Sequence, residues 1–354
     1  MPGPPVPIRP RRSGLSSSGS LPPSGSLLQQ LAGRVVGQPQ ALAEIVPYVQ
    51  MHRAGLTPEG RPAGVFLLLG PTGTGKTRTV EVLAEALHGS ERNLIRVDCG
   101  EFQMEHEVAK LIGAPPGYLG HRETQPMITQ QKLTGVTSET SNLSLLLFDE
   151  IEKAAPSMTR LLLAVLDKAT LRLGDNSSVN FEKSLIFLTS NLGAAAMSKE
   201  LCPDFGFAPM VRAQMVRLEH QPSHRKLSSI GMHEVRRKFS PEFVNRIDAI
   251  VTYRPLDADS LALILEQQIA ALERHIRIRL DERAFDLEIT AAARALLLRK
   301  GTSTEYGARE LKRTILRLLT QPLAAMVESG HVEPGSTVQV DLAPEGETLS
   351  LVPA

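Results

Sequence analysis

Short apolar runs alternate with amphipathic segments between residues 27 and 253. The apolar runs lie at 65–69, 94–97, 143–148 and 184–189. Runs with little polar alternation are typical of strands that are buried on both faces, as in a parallel sheet. A segment with helical spacing of its apolar residues follows the first run at 77–87, and helix-compatible segments separate the other runs. This pattern predicts an α/β fold built on a doubly wound parallel sheet.

The pattern changes after residue 253. Helical spacing predicts helices over 260–280, 290–299 and 308–328, and strand-type alternation predicts a strand at 336–342. We therefore divide the chain into a large domain at 27–253 and a smaller, mostly helical C-terminal lid domain at 254–343. A tail follows at 344–354.

Residues 1–26 have the composition of a disordered segment. They contain seven Pro, seven Ser and four Gly, and their only charged side chains are three arginines. A segment of this kind cannot bury enough apolar area to offset the entropy of ordering it. The sequence therefore predicts a disordered Pro/Ser-rich tail here.

Composition and charge argue against several functional classes. The chain has 39 Lys and Arg against 38 Asp and Glu, a net charge of +1, which disfavours a protein that coats nucleic acid. Two cysteines cannot form a disulfide framework or a closed thiolate metal site, so we expect a cytoplasmic location. No apolar stretch approaches the roughly 18 residues that span a bilayer. We expect no nucleic-acid partner and no membrane partner.

One glycine-rich segment fits the phosphate-binding pattern G-x-x-x-x-G-K-[ST]. It reads Gly70, Pro71, Thr72, Gly73, Thr74, Gly75, Lys76 and Thr77. The glycines let several N–H groups turn toward one phosphate, and the following helix adds the partial positive charge of its N-terminus. We expect Lys76 to bind the β- and γ-phosphates and Thr77 to supply a hydroxyl to Mg²⁺. ATP and Mg²⁺ are the predicted cofactors; the alternative, a chance glycine-rich turn, does not explain the flanking strand and helix.

Polar residues end two of the predicted strands. Asp149 and Glu150 follow the run at 143–148, and Asn191 follows the run at 184–189. Because parallel strands end at one edge of the sheet, we expect these residues beside the phosphate-binding loop. There Asp149 can hold Mg²⁺ through water, and Glu150 can act as the general base on the attacking water. For Asn191 the residues leave two readings, a group that orients the same water and a helix-cap or turn residue.

Seven motifs occur along the chain in a fixed order. They are VVGQ at 35–38, GPTGTGKT at 70–77, LIGAPPGYLG at 111–120, LFDEIEK at 147–153, TSNLG at 189–193, PEFVNRID at 241–248 and YGAR at 306–309. Together they resemble the Clp family of AAA+ ATPases, and specifically the second ATPase module of ClpB-type disaggregases and ClpA/ClpC-type unfoldases. The resemblance covers about residues 30–343 and implies the P-loop AAA+ fold.

The resemblance implies roles for several residues. Val35 and Val36 would line the adenine pocket, Asn191 would be the first sensor, and Arg309 would be the second sensor at the γ-phosphate. Arg246 would be an arginine finger that reaches the site of a neighbouring subunit. A homo-oligomeric ring, by family expectation a hexamer, follows from that role. For both arginines the residues alone also allow a surface salt bridge.

The segment Gly117 to Gly120 resembles the first pore loop of the family. Tyr118 and Leu119 would then grip an extended polypeptide, because an aromatic ring between glycines gives a mobile, apolar and unselective contact. The alternative reading is a Pro-Gly turn with a packed tyrosine.

The resemblance implies an ATP-dependent protein unfoldase or remodelling chaperone that hydrolyses ATP in a ring and threads unfolded or aggregated protein through a central pore. Two alternatives stay open: a nucleotide-switched assembly factor, and an ATPase partner of a peptidase. Residues 205–207 are close to the tripeptide with which protease-coupled unfoldases dock on their peptidase. A nucleic-acid motor on the same core is disfavoured by the near-neutral charge and by the aromatic pore-type loop. An adaptor is a further possible partner.

Overall fold

The computed structural model describes residues 25–113, 126–201, 224–303 and 306–353. Its strands in the large domain are β1 (Gly64–Leu69), β2 (Ile95–Asp98), β3 (Ser144–Asp149), β4 (Thr170–Arg172), β5 (Ser178–Asn180), β6 (Ser184–Ser190) and β7 (Ala249–Thr252). Five of them form one sheet in the order β2-β3-β6-β1-β7, with every neighbouring pair parallel. Strands β4 and β5 form a separate antiparallel hairpin. The predicted parallel sheet is confirmed, and each of its four predicted strands lies within one residue of its apolar run.

Helices cover both faces of this sheet. They are α1 (Gly25–Ala32), α2 (Pro39–Arg53), α3 (Lys76–His88), α4 (Val108–Ile112), α5 (Gln130–Gly135), α6 (Pro156–Lys168), α7 (Ala194–Leu201), α8 (His224–Lys238) and α9 (Pro241–Val244). Short 3₁₀ turns occur at Cys99–Glu101, Glu105–Glu107 and Ile151–Lys153. Among the described residues, no helix of this chain has both the length and the apolar composition that crossing a membrane requires.

Strand β1 shows why the sheet is buried on both sides. Val65, Leu67 and Leu69 belong to one apolar core, together with side chains of α6. Phe66 and Leu68 belong to the other core, together with side chains of α2 and α3. All five side chains are fully buried, which accounts for the unbroken apolar run in the sequence. The glycine-rich loop therefore begins at the end of a strand that is fixed from both faces.

The fifth strand of the sheet, β7, is absent from the sequence-based prediction. It has four residues and pairs with β1 from Phe66 to Leu69. Its first two residues are only half-buried, so it lacks the long apolar run that reveals the inner strands. The side chain of Asp248, just before β7, accepts a hydrogen bond from the Val65 amide at 2.8 Å and helps to set the register.

The smaller C-terminal domain follows β7. It contains α10 (Ala258–Leu280), a 3₁₀ turn (Asp281–Arg283), β8 (Asp286–Ile289), α11 (Ala291–Gly301), α12 (Ala308–Ile315), α13 (Gln321–Glu328), β9 (Thr337–Leu342) and β10 (Leu349–Pro353). A π-helical turn at Leu316–Thr320 joins α12 and α13 within the single helix predicted at 308–328. The helices pack on one another and on β9 to form a third apolar core.

The end of this domain differs from the prediction of a tail at 344–354. Strand β10 lies inside that segment and pairs antiparallel with β9, while β8 pairs parallel with β9 on its other side. The Ala343 amide donates to the Thr348 carbonyl at 2.9 Å and closes the connecting turn. Strands of four or five residues carry too few apolar positions to establish a period of two. The small domain therefore extends to Pro353.

Candidate functional site

A cavity of about 550 Å³ lies at the carboxyl edge of the sheet, between the large domain and helices α10 and α12. Volumes of this size are typical of sites for small ligands. Residues from all the predicted nucleotide-binding motifs line it. They are Val35, Val36, Thr72, Gly73, Thr74, Gly75, Lys76, Thr77, Asp149, Glu150, Asn191 and Arg309. The fold thus brings together side chains that are up to 274 positions apart in the sequence.

The glycine-rich loop connects β1 to α3, and two of its glycines are required by its shape. Gly75 is the N-cap of α3 with φ of 104°, a left-handed conformation that favours glycine. Gly73 has φ of 76°, and a Cβ atom there would lie 2.1 Å from the Tyr306 carbonyl oxygen of the small domain. The Ala308 amide also donates to the Gly73 carbonyl at 3.1 Å. The loop is therefore in direct backbone contact with the start of α12.

The Lys76 ammonium is buried and donates hydrogen bonds to three acceptors. It donates to the carbonyl oxygens of Gly70 at 2.6 Å and Pro71 at 2.9 Å, and to Asn191 Oδ1 at 2.9 Å. Gly70 and Pro71 therefore hold the Lys76 side chain through their carbonyl oxygens, and they are not among the described residues that line the cavity. Burial lowers the pKa of Lys76 from 10.5 to about 8, although nearby carboxylates, Glu152 first among them, oppose this shift.

We expect the affinity for nucleotide to fall as the pH rises above about 8. Phosphate binding favours the charged form of Lys76, so the pKa of Lys76 rises on binding and a proton is taken up. Between the free and the bound pKa the affinity then falls by up to about tenfold per pH unit. Titrating a fluorescent ADP analogue from pH 7 to 9.5 measures this slope.

Lys76→Arg is the control for this pH dependence. Arginine stays charged throughout that pH range, so the variant binds with an affinity that is set by its fit but changes little with pH. A flat pH profile in the wild-type protein would contradict the assignment of Lys76.

Glu150 has an unusual backbone conformation. Its φ is 56°, in the left-handed region that non-glycine residues rarely occupy. Its amide donates to the Thr189 hydroxyl at 3.0 Å, which holds the turn after β3 against the end of β6. Backbone strain of this kind persists only where surrounding contacts enforce it, and it is concentrated at functional sites. Here it directs the carboxylate toward the cavity.

Asn191 links the loop lysine to this carboxylate. Its Oδ1 accepts from Lys76, and its Nδ2 donates to Glu150 Oε1 at 3.3 Å. Lys153 Nζ lies 2.5 Å from Glu150 Oε2, and this hydrogen bond raises the pKa of Lys153. Of the two sequence-based readings of Asn191, this bridging position favours the group that orients water.

Two residues with oxygen donors suited to Mg²⁺ line the cavity. Thr77 lies in the first turn of α3, and Asp149 ends β3; both line the cavity. The Thr189 hydroxyl, which the sequence analysis did not single out, donates to Asp149 Oδ1. Mg²⁺ is usually held by one or two carboxylates and by substrate phosphates rather than by an all-protein cage.

The side of the cavity that carries Val35 and Val36 is held to the loop by one buried amide. Val35 and Val36 lie between α1 and α2, just before Gln38. The Gln38 side chain donates to the Thr74 carbonyl at 3.1 Å and to the Arg254 carbonyl at 2.8 Å. It therefore connects the glycine-rich loop to the segment that leads into the small domain.

Arg246 is placed differently from the other predicted residues. It is not among the described residues that line the cavity. Within its own subunit it pairs with Glu242 at 3.1 Å and with Asp167 at 3.4 Å. In the single chain the salt-bridge reading thus describes Arg246, and its action on a neighbour stays a prediction. Tyr118 and Leu119, like residues 205–207, lie outside the described residues.

Several lining residues were not predicted from the sequence. They are Arg34, Arg78, Glu81, Arg96, Asp98, Thr189, Leu256, Ile264, Gln267, Gln268, Ala308 and Lys312. Arg78 directly follows the loop motif, and Lys312 is one helical turn beyond Arg309, so proximity to a motif was an available signal for both. The residues of α10 carry no such signal, because only the packing of the small domain brings them to the cavity.

Family comparisons agree with this site. Residues 61–250, more than half of the chain, match the AAA domain family, Cdc48 subfamily. The chain belongs to this family. The small domain of this AAA chain matches the C-terminal, D2-small domain of ClpB protein over residues 256–340. The predicted resemblance to the second module of ClpB-type proteins and the predicted AAA+ fold are thereby confirmed.

Individual relatives give the same result for this AAA chain. Chaperone protein ClpB of Meiothermus ruber is 37% identical over 327 residues, covering 92% of the chain and 35% of the relative. Chaperone protein ClpB of Rhodopseudomonas palustris is 39% identical over 325 residues, covering 91% and 33%. The chain therefore spans about a third of the length of these curated relatives.

A solved structure shares the fold over nearly the whole chain. It is a chain of Hsp104 from a closed-state cryo-EM reconstruction with ATPyS and FITC casein. The TM-score is 0.75 at 28% sequence identity, over 93% of this AAA chain and 51% of the Hsp104 chain.

Proposed function

We propose that this chain is an ATP-dependent protein unfoldase, a remodelling chaperone that hydrolyses ATP in a ring and pulls polypeptide through a central pore. The observation that carries the proposal is the cavity, which unites the glycine-rich loop, Asp149, Glu150, Asn191 and Arg309. The match of both domains to AAA and ClpB families supports the same function.

Each residue has a defined task in hydrolysis. Lys76 and the loop amides bind the phosphates, while Thr77 and Asp149 hold Mg²⁺. Bound ATP and Mg²⁺ supply the terminal phosphoryl group and the metal charge that offsets its negative oxygens. Glu150 polarises the attacking water and accepts its proton, and Asn191 keeps that carboxylate in place. Arg309, which enters with the small domain, senses the terminal phosphate.

The protein substrate and the ring are further parts of this proposal. Arg246 acts on the neighbouring subunit, so active sites are complete only in a homo-oligomer, which we propose to be a hexamer in the cytoplasm. Tyr118 and Leu119 grip the polypeptide. The Hsp104 chain to which this one is similar was solved with casein, which makes an unfolded model protein the appropriate first substrate.

Steady-state ATP hydrolysis tests the proposal. The rate is measured against protein concentration, with and without casein, for the wild type and for Tyr118→Ala. We expect specific activity to rise with concentration as rings assemble, and we expect casein to stimulate the wild type only. Turnover that is independent of both concentration and casein would instead support the nucleotide-switched assembly factor.

A further inference from the structure

Both carboxylate oxygens of Asp149 have a partner within the chain. Its Oδ1 accepts from the Thr189 hydroxyl, and its Oδ2 lies 2.6 Å from Arg96 Nη2. A short contact between a guanidinium and a carboxylate is a charge-assisted hydrogen bond, stronger than a neutral one. Arg96 therefore supplies the charged partner of the Asp149 carboxylate.

The position of Arg96 follows from the strand that carries it. On β2, Val97 is buried in the core, while Arg96 and Asp98 are exposed. Both alternate residues line the cavity, and Asp98 is paired in register with Asp149 on β3. Arg96 also lies 3.9 Å from Glu81 on α3. The guanidinium therefore lies between two carboxylates and at the edge of the nucleotide cavity.

Other arginines of the cavity are paired differently. Arg34 pairs with Glu85 at 2.6 Å, and Arg78 pairs with Glu91 at 2.5 Å. Those carboxylates have no task in the proposed hydrolysis. Among the ion pairs of the described residues, it is the Arg96 pair that engages the carboxylate expected to hold Mg²⁺.

We propose that Arg96 is a positioning residue that acts as the resident counter-cation of Asp149 and is displaced when Mg²⁺ arrives with the nucleotide. This inference rests on the proposed function, because it concerns the same nucleotide site. While Arg96 neutralises Asp149, the carboxylate does not attract a divalent ion alone. The metal and the polyphosphate consequently bind together, and Arg96 becomes free to face the phosphates.

Nucleotide affinity with and without Mg²⁺ tests this role. The dissociation constant of a fluorescent ADP analogue is measured in excess EDTA and in Mg²⁺, and the ratio of the two values is compared between proteins. One unit charge about 6 Å from a divalent ion changes its affinity by about tenfold in a water-like dielectric. We expect the dissociation constant in EDTA divided by that in Mg²⁺ to rise by about tenfold in Arg96→Gln and in Arg96→Ala.

Two controls make the result specific. Arg96→Lys keeps the charge, and its ratio should stay near that of the wild type. Arg92 is exposed, precedes the same strand and occurs in none of the described ion pairs; Arg92→Gln should leave the ratio unchanged. A purely structural role would weaken binding equally in EDTA and in Mg²⁺, so an unchanged ratio in both neutral variants overturns the proposal. A wild-type protein that binds no nucleotide in either condition overturns the proposed function itself.

Discussion

Replacing Arg246 with alanine should lower ATP turnover by about 10³- to 10⁵-fold, the range reported for arginine fingers. The affinity of each subunit for nucleotide should change little, because Arg246 is not among the described residues that line its own cavity. Its pairs with Glu242 and Asp167 hold it on the surface of the large domain instead. Turnover and nucleotide binding, measured on the same preparations, separate these two effects.

Mixing variants tests whether Arg246 acts on a neighbour. Arg246→Ala subunits keep Glu150, and Glu150→Gln subunits keep Arg246, so a mixed ring contains sites with both groups intact. We expect the mixture to hydrolyse ATP faster than either variant alone. Arg237→Ala is the matched control, since Arg237 is an exposed arginine that pairs with Glu234 at 3.4 Å on α8. A mixture no faster than its components would place Arg246 in a structural role.

Three of the strands that the sequence predicted share one physical property. Strands β1, β3 and β6 are buried on both faces, so nearly every position is apolar and the signal needs no assumption about register. Strands β7, β8 and β10 are short and lie at sheet edges. Most of their residues are partly buried or exposed, and a few alternating positions do not distinguish a strand from a loop.

Within the site, residues of contiguous motifs were predicted from the sequence, whereas residues that only the fold brings to the cavity were not. The loop and the Asp149-Glu150 pair are contiguous, and their chemistry is defined by residue type and spacing. Arg96 and Gln268 reach the cavity through a strand edge and through the packing of the small domain. Neither belongs to a motif, so the sequence held no local signal for them.

The packing of the small domain explains why glycine stands at position 73. The pattern G-x-x-x-x-G-K-[ST] leaves this position open, so the reason is found only in the structure. The Tyr306 carbonyl approaches so closely that a Cβ atom would not fit. The loop and the start of α12 are thus joined by backbone atoms.

Glu150→Gln should lower the rate of ATP hydrolysis by about 10²- to 10⁴-fold, the usual contribution of a general base, while ATP still binds. Glutamine keeps the size of the side chain and can still accept the hydrogen bond from Asn191. It cannot accept a proton from water, and it loses the ion pair with Lys153. Single-turnover hydrolysis, together with the affinity for a fluorescent nucleotide, measures both properties.

The control for this variant is Glu101→Gln, an exposed glutamate outside the set of described residues that line the cavity. It should hydrolyse ATP at the wild-type rate. Because φ of 56° at Glu150 is enforced by the Thr189 contact to its amide, the substituted side chain should keep its direction. Loss of activity in Glu150→Gln then reports the chemistry of the carboxylate rather than a moved backbone. Undiminished hydrolysis would assign the base to another group and leave the strain at residue 150 without a catalytic purpose.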